Sequence, residues 1–253
     1  MNMLSILFIT LTAIISVVLP IGLMIYFKRK YNASILYFIV GIIVFSLFQI
    51  FTRIPMLHWL SGQFWFTVNI LSNNIVYILF LALTAGIFEE VGRFLAFKFV
   101  LTNNREWKNG LVFGIGHGGI EAITMVGINY LIFIIIILNM NFQWFDTIVS
   151  IIPNVSIVND LLLESSPYLF LMAGLERLFV IIIHMGLSLF QLNGVRVGKK
   201  SSLLYAIALH TLLNFSIILA STNVWMVEVV VAIAAIISIC YIKHKKNIWK
   251  FVF

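Results

Sequence analysis

Charge is scarce in this sequence. Only 10 % of its 253 residues are Asp, Glu, Lys or Arg, while 62 % are hydrophobic and the mean hydropathy is +1.10. Soluble domains carry roughly a quarter charged residues, so a water-soluble globular enzyme is excluded. Cysteine is nearly missing: one residue, Cys240, sits in an apolar run, which excludes an intrachain disulfide and a cysteine-based zinc site. There is no low-complexity stretch, no convincing internal repeat and no lysine deep in an apolar run to carry a Schiff base. The first apolar run lacks a basic leading segment and a small-residue cleavage site, and it ends in Lys28-Arg29-Lys30. It therefore reads as a membrane span and not as a signal peptide.

What is present is a series of apolar runs of bilayer length. On a template of about 20 residues per span, roughly seven spans are expected, at 4–27, 33–52, 67–88, 110–138, 167–190, 202–222 and 224–242. The expectation is an all-α, polytopic transmembrane helix bundle of seven or eight spans, a single membrane domain over 1–253 with its lipid bilayer as surroundings. The formal charge of +7 comes from 16 Lys+Arg against 9 Asp+Glu. The basic residues cluster between apolar runs, as in cytosolic loops, and no nucleic-acid partner is expected. With the N-terminus outside and the C-terminus cytosolic, thirteen of the sixteen fall on the inner side; Arg53 falls outside, and Arg93 and Arg177 lie in or beside spans. The reverse topology would break the positive-inside rule. Segment 139–166 is then an external loop with Pro153 and Pro167 as breakers, and its Trp144 and Phe145 would seat a short interfacial helix. Short loops and the lack of a targeting peptide suggest a bacterial plasma membrane.

An ionisable residue inside a span costs about 2.5–3.5 kcal/mol on insertion scales, so each one calls for a reason. Glu89 lies nine residues before Lys98, His117 nine after Lys108, His184 twelve before Arg196 and His210 ten after Lys200. At about 1.5 Å per residue, all four reach a similar depth, roughly 13–18 Å from the basic boundary. Hydrophobic patterning does not require that coincidence, whereas a polar cavity shared by four helices would explain it. Arg93 follows Glu89 by four residues and Glu90 by three, so it can hold at least one carboxylate ionised. Adjacent residues project about 100° apart, so one of the two carboxylates should face a substrate while the other supports it. His117 and Glu121 share a helical face, as do His210 and Asn214, and Gly110, Gly114 and Gly118 form a small-residue track for close helix approach.

These residue types suit water activation. A glutamate can take a proton from water, and two or three imidazoles can hold a divalent metal or donate to a developing oxyanion. Two histidines and a glutamate make a recognised catalytic zinc set with one position left for water. The plain alternative for each residue is an interhelical hydrogen bond worth under about 1–2 kcal/mol. Glu176 and Arg177 read as snorkelled interfacial residues, and Gln49, Asn69, Asn73 and Asn74 as interhelical hydrogen-bonders.

The motifs EEVGR (89–93), FGIGH (113–117) and HTLLN (210–214) stand in the order Glu-Glu…Arg, Phe-x-x-x-His, His-x-x-x-Asn. In this the sequence resembles the CPBP (CAAX protease and bacteriocin-processing, or Abi) intramembrane peptidases, and more narrowly the YhfC-type membrane peptidases, over roughly 80–220. The resemblance implies Glu89 as the water-activating base and Glu90 as its partner. It implies His117 and His210 as metal ligands or oxyanion stabilisers, with Asn214 assisting. Arg93 follows the pair by three residues where the longer family spacing is four. His184, placed here as a third metal ligand, and Glu121, placed in support, are additions to the family pattern. Members of the family are described both as glutamate-dependent and as metal-dependent, so the expected cofactor is one divalent ion, zinc first, or none.

The leading expectation is an intramembrane endopeptidase that hydrolyses a membrane-embedded protein or peptide near the cytosolic half of the bilayer. Two other functions stay open on the sequence. A proton- or ion-coupled transporter would also use intramembrane carboxylates and histidines, although seven spans do not divide into matched halves. A non-catalytic scaffold or immunity-type protein would keep the same polar site for folding.

Overall fold

The structure is a computed structural model and describes residues 2–144, 146–152 and 154–250. Every regular element among them is helical. Seven helices are long and apolar enough to cross a membrane: α1 (Met3–Tyr31), α2 (Ile35–Ser61), α3 (Asn74–Val100), α4 (Trp107–Met140), α5 (Pro167–Arg196), α6 (Ser201–Ala220) and α7 (Val224–Ile248). The protein is thus an all-α integral membrane bundle. Its polar side chains are turned inward: Thr12, Gln49, Arg53, Glu89, Arg93, His117, Arg177 and His210 are buried, while Ile14, Phe51, Leu212 and Ile237 are exposed. In water that apolar surface would be an aggregation hazard; in a bilayer it is the lipid-facing side.

The third span departs from expectation. Residues 67–71 belong to a separate short helical stretch, and α3 begins at Asn74. The start is set by Asn73, whose side-chain oxygen accepts from the backbone N–H of Ile75 and Val76 and so satisfies two of the helix's orphan donors. The helix then runs through Glu89, Glu90 and Arg93 without a break, because these charges find partners inside the bundle. They lie in the body of the span and not at its end. Asn73 is therefore a cap, and Asn69 bonds back to the Trp65 carbonyl of its own helix; neither joins two spans.

The first half of α4 is the axis of the bundle. Of the 16 residues in Trp107–Ala122, 12 are buried, as expected of a helix that packs on every side. Its small-residue track faces α5: a Cβ at Gly114 would lie 2.5 Å from both the His184 carbonyl oxygen and Met185 Cα, and one at Gly118 would lie 3.1 Å from His184 Cβ. The backbones are therefore in direct contact, which brings the His117 and His184 rings to 4.8 Å between centroids. The α3–α6 crossing works similarly, with Gly86 against Thr211 and the Ile207 carbonyl. In α2 the helix widens into π-type turns over Ser46–Arg53, a local irregularity that re-aims side chains; Gln49 and Arg53 lie on it.

The 139–166 segment is partly helical, with short helices Asp146–Ser150 and Val155–Glu164. Leu162 of the second is buried with Ile9, Ala13, Ile136 and Phe170. Trp144 does not seat a helix; it is an exposed turn residue stacked on Phe142. The expectations for Phe145 and Pro153 lie outside the described residues.

Candidate active site

Four helices bring their ionisable residues to one level. On α3, Glu89 and Glu90 project in different directions. Glu89 lines a cavity of about 410 Å³ between helices, and its Oε2 lies 3.0 Å from His117 Nε2 and 3.7 Å from His210 Nε2. Glu90 is fully buried, pairs with Arg93 one turn along, and accepts from His210 Nδ1 at 2.8 Å. A carboxylate oxygen accepts, so Nδ1 of His210 carries a proton, and Nε2 lies on the side of Glu89.

The same reasoning fixes His184. Arg93 Nη2 lies 3.0 Å from His184 Nδ1, and a guanidinium only donates. His184 therefore carries its proton on Nε2, which lies 2.7 Å from Glu121 Oε2. This carboxylate-to-imidazole contact fixes ring orientation in the way that metal-site histidines are commonly held. The motif phenylalanine has a packing role: Phe113 stacks on His117 at 6.1 Å, with Phe45 edge-on at 5.2 Å.

Glu89, His117 and His184 each offer a donor atom within 4.8 Å of the other two. One carboxylate and two imidazoles are a donor set that zinc takes readily. His117 Nδ1 is buried with no hydrogen-bond partner, so its ring is incompletely satisfied by protein alone. Against the fit stands Arg93, whose N–H occupies the His184 Nδ1 lone pair.

The structure thus gathers Glu89, Glu90, Arg93, His117, Glu121, His184 and His210 into one connected network. Asn214 lines the cavity one turn beyond His210, and among the described residues no hydrogen bond ties it to that network. Arg177 is not a snorkelled residue: it is buried, donates to Glu121 at 3.2 Å and pairs with Glu176. The physical reason is that Glu121 on α4 presents a carboxylate inside the bundle, where pairing is worth more than at the interface. Gln49 also faces the cavity, with its Oε1 unpartnered, and Arg53 lines the same wall. Sequence reasoning set both aside; their i, i+4 spacing in an otherwise apolar run was the available signal.

Along every helix the cavity lies on the side away from the basic ends. Lining residues run from Glu89 back to Leu81 on α3, from Glu121 on to Met125 on α4, from Leu187 back to Glu176 on α5, and from His210 on to Ile218 on α6. Each series leads away from Lys98, Lys108, Arg196 or Lys200. The cavity therefore does not reach toward the basic face, as the cytosolic-half expectation would have it.

No solved structure matches this chain. A relative described as "Uncharacterized membrane protein YhfC" of Bacillus subtilis (strain 168) is 31% identical over 257 residues, covering 97% of this chain and 98% of its own. The model of the YhfC intramembrane metalloprotease family matches residues 15–248, a stretch that holds all three motifs and every residue of the network. The chain belongs to the YhfC intramembrane metalloprotease family.

Proposed function

We propose that this protein is an intramembrane peptidase that hydrolyses a peptide bond of a membrane-embedded substrate at Glu89. The observation that carries the reading is a buried Glu-His-His cluster inside an apolar bundle, two of whose members, Glu89 and His184, line a cavity that His210 and Asn214 also line. Glu89, His117 and His184 would hold a divalent ion once Arg93 gives up the Nδ1 lone pair of His184, with His210 beside them. Such an ion, zinc by its donors, makes a bound water more acidic and polarises a carbonyl.

The chain's own groups do the remaining work. Glu89, through the carboxylate oxygen not engaged with the ion, takes the proton of the attacking water. His210, with Nδ1 fixed on Glu90, keeps Nε2 toward Glu89 and can pass that proton to the leaving amine. Arg93 holds Glu90 in place, and Glu121 holds His184. Asn214 offers its amide to the substrate carbonyl from the cavity wall. The charge distribution supports an N-out, C-in orientation, which makes the cavity open toward the outer leaflet. A C-terminal fusion should accordingly be fluorescent as green fluorescent protein and inactive as alkaline phosphatase.

The deciding experiment is the metal content of detergent-purified protein. Near-stoichiometric zinc in wild type, lost in His117→Ala and His184→Ala, is expected. A folded wild type without metal would remove the ion from the reading. Cleavage that persists in Glu89→Gln would remove the glutamate from the mechanism.

A further inference from the structure

Arg53 is a buried cation that, among the described residues, has no carboxylate in contact with it, although Glu89 faces the same cavity. It is only 8% exposed, and it donates from Nε to Thr84 Oγ1 at 3.1 Å and from Nη2 to the Leu81 carbonyl at 2.7 Å. Both acceptors are neutral groups on α3. Among the described residues no carboxylate lies within ion-pair distance of it, whereas Arg93 has one such partner and Arg177 two. A guanidinium has five N–H donors, so the Nη1 edge is not used by these two bonds.

One turn earlier on α2, Gln49 is also buried, and its Oε1 has no hydrogen-bond partner. Both side chains line the cavity that Glu89 lines. A free donor edge and a free acceptor oxygen, side by side on one helix, complement the two features of a peptide that carries an acid: its carboxylate and a backbone N–H. Buried, unsatisfied groups of this kind cost free energy until something fills them.

The spacing adds a register. Leu81 and Thr84, to which Arg53 is tied, precede Glu89 by eight and five residues on one continuous helix, about 12 and 8 Å at 1.5 Å per residue. An extended chain advances about 3.3 Å per residue, so a carboxylate held at Arg53 lies about two to four residues from a bond held at Glu89.

We propose that Arg53 and Gln49 form a recognition subsite for a carboxylate of the substrate chain, an acidic side chain or a free C-terminus, at that distance from the scissile bond. The inference rests on the hydrolytic reading of Glu89. Arg53 is a specificity-determining residue in it and takes no part in the bond-breaking step.

The test uses the full chain in phosphatidylcholine nanodiscs and short, fluorescently labelled apolar peptides. One carries Asp and an amidated C-terminus, a second carries Asn and the amide, and a third carries Asn and a free C-terminus. A charge-assisted contact should tighten binding about tenfold for at least one carboxylate peptide over the Asn amide. The preferred peptide tells side chain from C-terminus. The preference should vanish in Arg53→Gln and partly return in Arg53→Lys. Equal binding of all three peptides by wild type would overturn the subsite without reliance on any variant. So would a preference that survives in Arg53→Gln, or Arg53-dependent binding seen only with phosphatidylglycerol. Cleavage indifferent to the carboxylate sinks the subsite and leaves the hydrolytic reading intact. Arg53-dependent binding with no cleavage of any peptide sinks the hydrolytic reading and leaves the subsite.

Discussion

Arg93 and Arg53 are both buried guanidiniums in a membrane-spanning bundle, and the protein neutralises them in different ways. Arg93 is enclosed: it pairs with Glu90, donates to His184 Nδ1, and belongs to a network that reaches His210 through Glu90. Arg53 stands on a cavity wall and is met only by a threonine hydroxyl and a backbone carbonyl. In a low-dielectric interior an ion pair repays desolvation only when its geometry and remaining hydrogen bonds are good. The enclosed region meets most of that condition with protein groups, so its order is fixed before any ligand arrives. The cavity wall meets it only in part, and the missing part is the shape of what the cavity takes in. Rigidity and vacancy are set next to each other across Glu89, which touches both.

The largest effect should come from breaking the enclosed side. Arg93→Leu leaves the Glu90 carboxylate buried and without its cation, a change that costs about 3–5 kcal/mol in comparable sites. Loss of folded protein on gel filtration and a collapse of the unfolding midpoint in mixed micelles are expected. A stable Arg93→Leu would show that the network is not what holds α3 against α5 and α6. Glu89→Gln sharpens the contrast from the other direction. It keeps shape and one acceptor oxygen, so the fold should survive, while hydrolysis should fall by about 10²–10⁴-fold, the usual contribution of a positioned acid or base. A side-by-side thermal melt and cleavage assay reads both numbers on the same preparation.

Next in size is the packing beneath the network. A Cβ at Gly114 meets the backbone of His184 and Met185 at 2.5 Å, and backbone cannot swing aside as a flexible side chain can. Gly114→Ala should therefore cost about 1–3 kcal/mol as an overpacked contact and push His184 away from His117. Reduced metal content at near-native helicity is the expected signature; unchanged metal content would mean that α5 can slide without loss at the site.

What the sequence made legible follows from this division. The enclosed residues announced themselves because ionisable groups in apolar runs are rare and their distances from the basic boundaries coincide; Glu89, His117, His184 and His210 do share a level. The partners of Glu121 and His184 were less accessible. Arg177 lies seven residues from His184 on the same helix, but its pairing with Glu121 depends on how α4 and α5 are rotated against each other, and the glycine track says only that they approach. Arg53 was hidden for a different reason. Its place just past the expected end of a span put it on the outer side, and the span in fact runs on through π-type turns over Ser46–Arg53, which set it beside Gln49 on the cavity wall. The start of α3 was missed because Asn73 was weighed as a polar residue in a span and not as a cap.

The smallest effect should be found at the basic face, farthest from both regions. Lys246 on α7 donates to the Tyr31 hydroxyl at 3.4 Å and lies 5.1 Å from the centroids of the Tyr31 and Trp107 rings, so it ties α7 to α1 and α4. Its contacts are a long hydrogen bond and two cation–π approaches at a partly exposed site, each worth about 0.5–1 kcal/mol at most. Lys246→Ala should therefore lower stability by about 1–2 kcal/mol at most and leave zinc content and peptide binding as in wild type. If it instead depletes the metal, the basic end must set the rotation of α4, because Trp107 begins the helix that carries His117. In that case the enclosed network would be held from its far end and not by its own ion pairs.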